Sequence, residues 1–521
     1  MAVRRLSWDG RFARLSATIG NSVRFSLLTG NVRYLTSQAG NEHYRRWTMR
    51  RIAILVLVGG LGGCATVPDL GPRPDPAQPG AFAATRSLAG TSQAWPQDDW
   101  WRTFGDTQLD TLVGEALQGS PTVAQAAARI RIAVSQADLA RAALLPSVGA
   151  TATARDSRLT QSIGLPTDGD WHWLLAGLVN MSWELDLWGK NSSALRAAVS
   201  ARTAAEADEA AARLALASAV STAYVDFAQL LVRRDVAADA VRIRRETRDL
   251  VVRRFDAGLE PRTSVEQAEG GVDAAEAQLA AINEAIGLGR NALAALVGAG
   301  PDRGLAIEPP SLTTRRPDAL PANIPIELVG RNPEVVSARW RVEAAAERIG
   351  VARAGFYPNV NISGLIGLAS FGLDNLFRSE SVIGSVGPAI SLPIFDGGRL
   401  SARYRGARGE YDTAVATYNE TLLQALHHAA DAATSLRALR ERVDRTNASV
   451  ARQEAAYRLA KMRYEGGLSD YQRVLISEDA LLSAREQAAA LRLRGFILDI
   501  ALAKALGGGF RAAVPARDTN S

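Results

Sequence analysis

Between residues 422 and 443 the apolar positions Leu422, Ala425, Ala429, Ala432, Leu436, Leu439 and Val443 advance by alternating steps of three and four. A mean step of about 3.5 residues marks the seam of a coiled coil. Leu214, Ala217, Val220, Tyr224, Phe227 and Leu231 follow nearly the same rhythm in the first half of the chain. The stretch from Lys190 to Ala257 contains no glycine or proline and is rich in Ala, Leu, Arg and Glu, all good helix formers. At 1.5 Å per residue it predicts a helix roughly 100 Å long, beyond the scale of a globular core. A plain soluble coiled coil or rod stays open as an alternative until the strands are read.

Four segments change period. Residues 147–156 place Val148, Ala150, Ala152 and Ala154 on one face and Ser147, Gly149, Thr151, Thr153 and Arg155 on the other, the alternation of a strand. In 171–185, Trp171, Trp173, Leu175, Val179, Met181 and Trp183 share a face, with tryptophans at both ends of an apolar band as in a membrane-interface girdle. Residues 359–370 and 382–394 predict a second pair of strands. Lipid offers no partner to the backbone groups of a sheet edge, so a spanning sheet must close, and four strands cannot close around a lumen. The expectation is a barrel shared between copies: eight strands from two copies would be filled by side chains, whereas twelve from three leave a bore.

The same order of elements occurs twice. Ala140-Arg141-Ala142-Ala143-Leu144-Leu145-Pro146-Ser147-Val148 returns as Ala352-Arg353-Ala354-Gly355-Phe356-Tyr357-Pro358-Asn359-Val360, and Arg254-Phe255-Asp256-Ala257-Gly258-Leu259 as Arg463-Tyr464-Glu465-Gly466-Gly467-Leu468. This reads as an internal tandem duplication, with repeats at 106–300 and 326–508, long hairpins at 190–298 and 398–506, a linker at 301–325 and a tail at 509–521. Gly287, Gly289, Gly298 and Gly300 are expected to end the first hairpin before that linker.

Charge and cysteine place the chain. Its 60 Lys+Arg against 54 Asp+Glu give +6, which invites a nucleic-acid reading. The eight arginines before Met49, set against Asp9 and Glu42, together with Arg50 and Arg51, exceed that whole surplus and leave −2 beyond residue 51. Nucleic acid is therefore not an expected partner. The lone cysteine, Cys64, excludes an intramolecular disulfide and a thiolate zinc site. Upstream of it lie Met49-Arg50-Arg51, the apolar run 52–58 and Leu61-Gly62-Gly63, a charged n-region and an h-region too short to span a bilayer. Residues 49–63 read as a leader and 1–48 as an extension ahead of the true start. Pro68, Pro72, Pro74 and Pro76 make 64–105 begin as a tether that cannot enter a helix.

Leu61-Gly62-Gly63-Cys64 resembles the bacterial lipobox, which implies that Cys64 carries the lipid anchor; Ala65 after it resembles lipoproteins sorted to the outer membrane. The ordered set of motifs over residues 64–508 resembles the TolC/OprM-like outer-membrane efflux protein family, in its NodT-type lipoprotein branch. Its marks are Trp183-Glu184-Leu185-Asp186-Leu187-Trp188-Gly189-Lys190 and Leu392-Pro393-Ile394-Phe395-Asp396-Gly397-Gly398-Arg399, with Pro146 and Pro358 where helices turn into strands. Asp186, Trp188, Gly189, Pro393, Asp396, Gly397 and Gly398 are thus expected at strand-to-helix turns, where Asp and Gly favour reversal.

The resemblance implies a mostly α protein with a membrane β part: a long coiled-coil α-helical barrel plus four strands per protomer of a twelve-stranded trimeric β-barrel. It implies an outer-membrane duct for drugs or other small molecules, partnered as a homotrimer by outer-membrane lipid, a periplasmic adaptor and an inner-membrane RND or ABC pump. A type I protein secretion duct and a non-conducting periplasmic lipoprotein rod are the alternatives. The resemblance further implies that Arg254, Phe255, Gly258 and Leu259, with Arg463, Tyr464, Gly467, Leu468 and Ser469, form the hairpin tips that gate the duct and dock the adaptor. Some relatives carry acids just after the second tip; Arg473 and Ile476 stand there in this chain. No enzyme, cofactor or metal is expected. His427 and His428 point about 100° apart on a helix and cannot chelate as an i, i+4 pair, and the chain has no G-x-S-x-G, H-E-x-x-H or P-loop.

Overall fold

The computed structural model describes residues 66–84, 86–88, 94–158, 171–313, 321 and 324–512. Cys64, the expected leader 49–63 and the extension 1–48 lie outside the described residues. Helices α1 (Thr107–Gly119) and α2 (Pro121–Ala142) lead into strands β1 (Ser147–Arg158) and β2 (Trp171–Leu185). The 67-residue helix α3 (Lys190–Asp256) then runs away from the sheet, and α4 (Arg262–Leu296) returns beside it. After the short α5 (Asp302–Leu305) and α6 (Ile324–Arg331), the order recurs: α7 (Pro333–Ala354), β3 (Asn359–Phe371), β4 (Val382–Ser391), the 67-residue α8 (Arg399–Glu465), α9 (Tyr471–Arg492) and α10 (Arg494–Ala505).

Several boundaries differ from expectation for local reasons. Strand β4 ends at Ser391, short of 394, because Pro393 has no N–H to give a ladder. The second return is broken at Leu493 between α9 and α10. Short helices occupy both ends of the expected linker. Gly287 and Gly289 lie inside α4; a Cβ on Gly289 would meet Leu230 at 3.5 Å and Phe227 at 3.8 Å, so its bareness serves close packing of α4 on α3. Gly298 does end the hairpin, at φ +78.

The four strands form one antiparallel sheet in the order β1-β2-β3-β4. Pairing of β2 with β3 joins the two halves of the chain (Val179 opposite Ile366, Trp183 opposite Ile362). Away from the sheet, three apolar clusters hold the helices. One gathers Trp100, Phe104, Leu109, Leu112, Val220, Tyr224, Phe227 and Leu293. There the Tyr224 hydroxyl donates to Asp106 Oδ2 at 2.8 Å, so a wholly buried tyrosine leaves no orphan donor. The second packs α7 on α8 through Val335, Val342, Val415, Leu422, Ala425 and Ala429; of the predicted seam, Leu436, Leu439 and Val443 are only half-buried. The third lies at the free ends of the hairpins.

The proline-rich segment is not a loose spacer. It is laid along α8: the Arg408 guanidinium donates to the carbonyls of Gly71 and Pro72, Tyr411 Oη to Pro74 O at 3.0 Å, and Arg437 Nη2 to Ser87 O at 2.6 Å, while Asn419 Oδ1 accepts from Ala77 N at 2.8 Å. Prolines leave carbonyls free to accept and remove donors that would need partners.

Candidate functional site

Two regions carry chemistry that a self-contained globule would not need. The first is the sheet. Residues paired directly across strands share a face, so the register sorts the side chains. Val148, Met181, Gly364 and Val386 form one row; Ala150, Val179, Ile366 and Gly384 form the next. This face is apolar from edge to edge, and it is bare: Val386 is 78%, Val148 69% and Ile366 62% exposed. Trp171 and Trp173 stand at its far rim, 65% and 56% exposed. The opposite face carries Ser147, Thr151, Thr153, Asn180, Ser182, Asn361, Ser363 and Ser385. Both β1 and β4 are edges that meet no further strand among the described residues.

The near rim is built by the expected turns. Asp186 accepts from the backbone N–H of Asn191 and of Ser192, each at 2.8 Å, and so caps α3 from outside while Gly189 takes φ +70. Partial burial pushes the Asp186 carboxyl up, but the hydrogen bonds from Ser192 and Asn191 outweigh it and hold it below the usual carboxylate range. In the second half Asp396 accepts from Gly398 N at 3.0 Å and Leu400 N at 2.7 Å, with Gly397 and Gly398 at φ +66 and +86. Trp188 stacks on Tyr357 with ring centroids 4.9 Å apart, and its Nε1 donates to Pro358 O at 2.7 Å. Pro146 and Pro358 each stand just before a strand, and Pro393 just after one.

The second region is the hairpin end. Gly258 and Gly467 reverse the two hairpins at φ +72 and +74, a conformation that costs glycine nothing. Leu259 and Leu468 are left 63% and 74% exposed, and Arg463 is exposed as well. The two ends are bound to each other. Arg254 lies over the Tyr464 ring at 4.4 Å, donates from Nη1 to Tyr464 O at 2.9 Å and sits 3.5 Å from Glu260. Phe255 and Ser469 are half-buried.

Sequence reasoning missed the anchor behind these tips. Glu478 on α9 is fully buried: it accepts from Thr247 Oγ1 at 2.6 Å and pairs with Arg244 at 3.1 Å, both on α3. Arg244 also pairs with Asp479, and Thr247 Oγ1 lies 3.2 Å from the Tyr457 hydroxyl. Burial pushes the Glu478 carboxyl above its ordinary value, although Thr247 and Arg244 oppose this, and burial pushes the Tyr471 hydroxyl up to about 12. The signal was present: Tyr457, Tyr464, Tyr471 and Glu478 are spaced by sevens, but the stripe crosses a turn and is invisible within either helix alone.

Among the described residues no three His, Cys, Asp or Glu side chains converge as a metal site. His427 pairs with Asp431 at 3.3 Å, and its ring lies 6.2 Å from that of His428.

A sheet with one bare apolar face, mounted on two 67-residue helices, fits a class: channel-forming proteins that join a membrane to an aqueous compartment. Residues 112–299 and 325–508 match the sequence profile of the outer membrane efflux protein family, and the chain belongs to that family. It is similar to the multidrug resistance outer membrane protein MdtP of Shigella flexneri (32% identical over 494 residues, 89% of this chain and 98% of MdtP) and to the fusaric acid resistance protein FusA of Burkholderia cepacia (36% over 365 residues, 68% of each). Among solved structures it resembles the outer membrane protein VceC of Vibrio cholerae, at TM-score 0.76 and 41% identity over 80% of this chain and 100% of VceC. It also resembles the outer-membrane channel OprN, at TM-score 0.76 and 28% identity over 86% and 99% of the two chains. The protein is an outer-membrane efflux channel component of a Gram-negative bacterium, and passage through a channel requires no bond chemistry.

Proposed function

We propose that three copies close their sheets into one twelve-stranded barrel and continue it as a periplasmic tube of helical hairpins. The duct would be anchored by lipid on Cys64, met at its hairpin tips by an adaptor, and supplied with small molecules by an inner-membrane RND or ABC pump. The observation that carries this reading is the four-stranded sheet with one bare apolar face and two open edges. In lipid an open edge leaves several backbone groups unpaired, each costing several kcal/mol, so closure between copies is the stable solution. The profile's two matched segments and the pair of 67-residue helices support a tandem duplication, with repeats near 106–300 and 326–508. The proline-rich segment laid as a strap along α8 supports the anchor. Gly71 is held at Arg408, nine residues into α8, and the seven residues back to Cys64 reach at most about 25 Å, enough to bring it to the plane where the strands end.

Detergent-solubilised protein is expected at about three times the protomer mass, with a single tri-acylated cysteine at its N-terminus by mass spectrometry; a water-soluble monomer with folded strands overturns the shared barrel. Leu468→Asp is expected to weaken adaptor cross-linking by about 2 kcal/mol and Gly467→Pro to distort the turn, both abolishing export at unchanged trimer level. Normal export and cross-linking in both variants would show the tips to be turns only.

A further inference from the structure

The face of the sheet opposite the bare apolar one mixes polar with apolar side chains and carries few charges. Among the described strand residues on that face, Glu184 at the helical end is neutralised by Lys190, whose Nζ lies 2.9 Å away. Arg155, on β1 toward the far end, is exposed and pairs with no carboxylate among the described residues. In register beside it stand Leu174 on β2 and Phe371 on β3; the flanking rows hold Thr153 with Ala176 and Ala369 on one side and Ser157 with His172 on the other. A guanidinium stays charged at every working pH, and low-dielectric walls focus its field into the lumen.

We propose that Arg155 makes the outer end of the barrel an electrostatic filter that favours anionic solutes, carboxylates and phosphates among them, over cations of the same size. This rests on the shared-barrel reading, in which three copies of Arg155 form a ring facing the bore. Three fixed positive charges on one ring raise the local concentration of anions and lower that of cations, and the effect fades as salt shortens the Debye length to about 3 Å at 1 M. Asp156 and Arg158 on the other face of β1, and Asp374, Arg378 and Glu380 on the connection between β3 and β4, also bias the mouth, so the telling quantity is the change produced at Arg155 alone.

The test is the reversal potential of the full-length channel in planar bilayers under a KCl gradient, for wild type, Arg155→Gln and Arg155→Glu. The chloride-to-potassium permeability ratio is expected to fall in that order, several-fold in the charge reversal at low salt, and the three proteins to converge at 1 M. Equal reversal potentials in conducting wild type and Arg155→Glu would overturn the filter while leaving the barrel intact. A second measurement separates the two readings independently of the gate. Arg155→Cys and Ala154→Cys variants are offered a membrane-impermeant thiol reagent from outside in cells. Labelling at 155 and not at 154 places Arg155 in water and residue 154 in lipid; equal labelling of both overturns the shared barrel and the filter with it.

Discussion

The two hairpin ends share one architecture and differ in chemistry. Each closes on a left-handed glycine followed by an exposed leucine. The second end buries Tyr457, Tyr464, Tyr471 and Glu478, whereas the corresponding positions of the first are Arg248, Phe255, Arg262 and Glu269, with Phe255 half-buried and Arg262 and Glu269 exposed. A common backbone therefore carries a bolt on one side and its socket on the other: the socket is Arg244, Thr247 and Arg254 on α3. Two identical ends could bind each other only through self-complementary surfaces. Two diverged ends can be complementary instead, and a single contact can then be loosened without disturbing either turn.

The two ends differ most in their aromatic cores. Tyr464→Ala should lose about 3–5 kcal/mol of local stability at the hairpin ends, whereas Phe255→Ala, its half-buried counterpart, should lose about 1 kcal/mol; amide hydrogen exchange across α3 and α9 measures both. Arg244→Met strands Glu478 as an unpaired buried carboxylate and should cost about 3 kcal/mol, recovered in part by adding Glu478→Gln; Glu269→Gln on the exposed side should change nothing measurable. A smaller effect follows from acidity. Because the folded Glu478 carboxyl titrates above its ordinary 4.5, the folded state holds its proton more tightly than the unfolded one. The contact is therefore most stable below that value and loosens as pH rises through the folded pKa. Exchange at the hairpin ends should quicken over that window in wild type and not in Glu478→Gln. Smallest of all, Gly258→Ala and Gly467→Ala should cost about 1 kcal/mol each, and equally, since no atom lies within 4 Å of either added Cβ and only the backbone strain counts.

What the sequence made legible follows from how local each signal is. The alternation of β1, the tryptophan rim of β2 and the Asp and Gly turns at 186–189 and 396–398 depend on near neighbours; strands occupy Ser147–Arg158 and Trp171–Leu185, and Gly189, Gly397 and Gly398 take positive φ. Leu422, Ala425, Ala429 and Ala432 are buried along the predicted seam. Glu478 could not be read, because a glutamate near a helix start is ordinarily solvated and its burial depends on residues 231 positions away. Arg244 escaped for the same reason. Gly289 is not the helix stop its sequence suggests, because glycine as a stop and glycine as a seat for a neighbouring side chain look alike in one dimension; Gly287 also lies inside α4, with no atom within 4 Å of an added Cβ. The prolines of the strap ruled out helix correctly, but nothing local announced that their carbonyls would be held by α8.

That strap imposes an order of events on synthesis. Its partners Arg408, Tyr411, Asn419 and Arg437 follow Gly71, Pro74, Ala77 and Ser87 by 337 to 350 residues, so the first described stretch of the chain has nowhere to lie until nearly the whole of it has been made. Docking of the leading segment is thereby a completion signal. A truncated polypeptide lacking α8 keeps an unseated N-terminal arm with bare carbonyls and an exposed Leu88, the extended and unpaired kind of segment that proteases cut first.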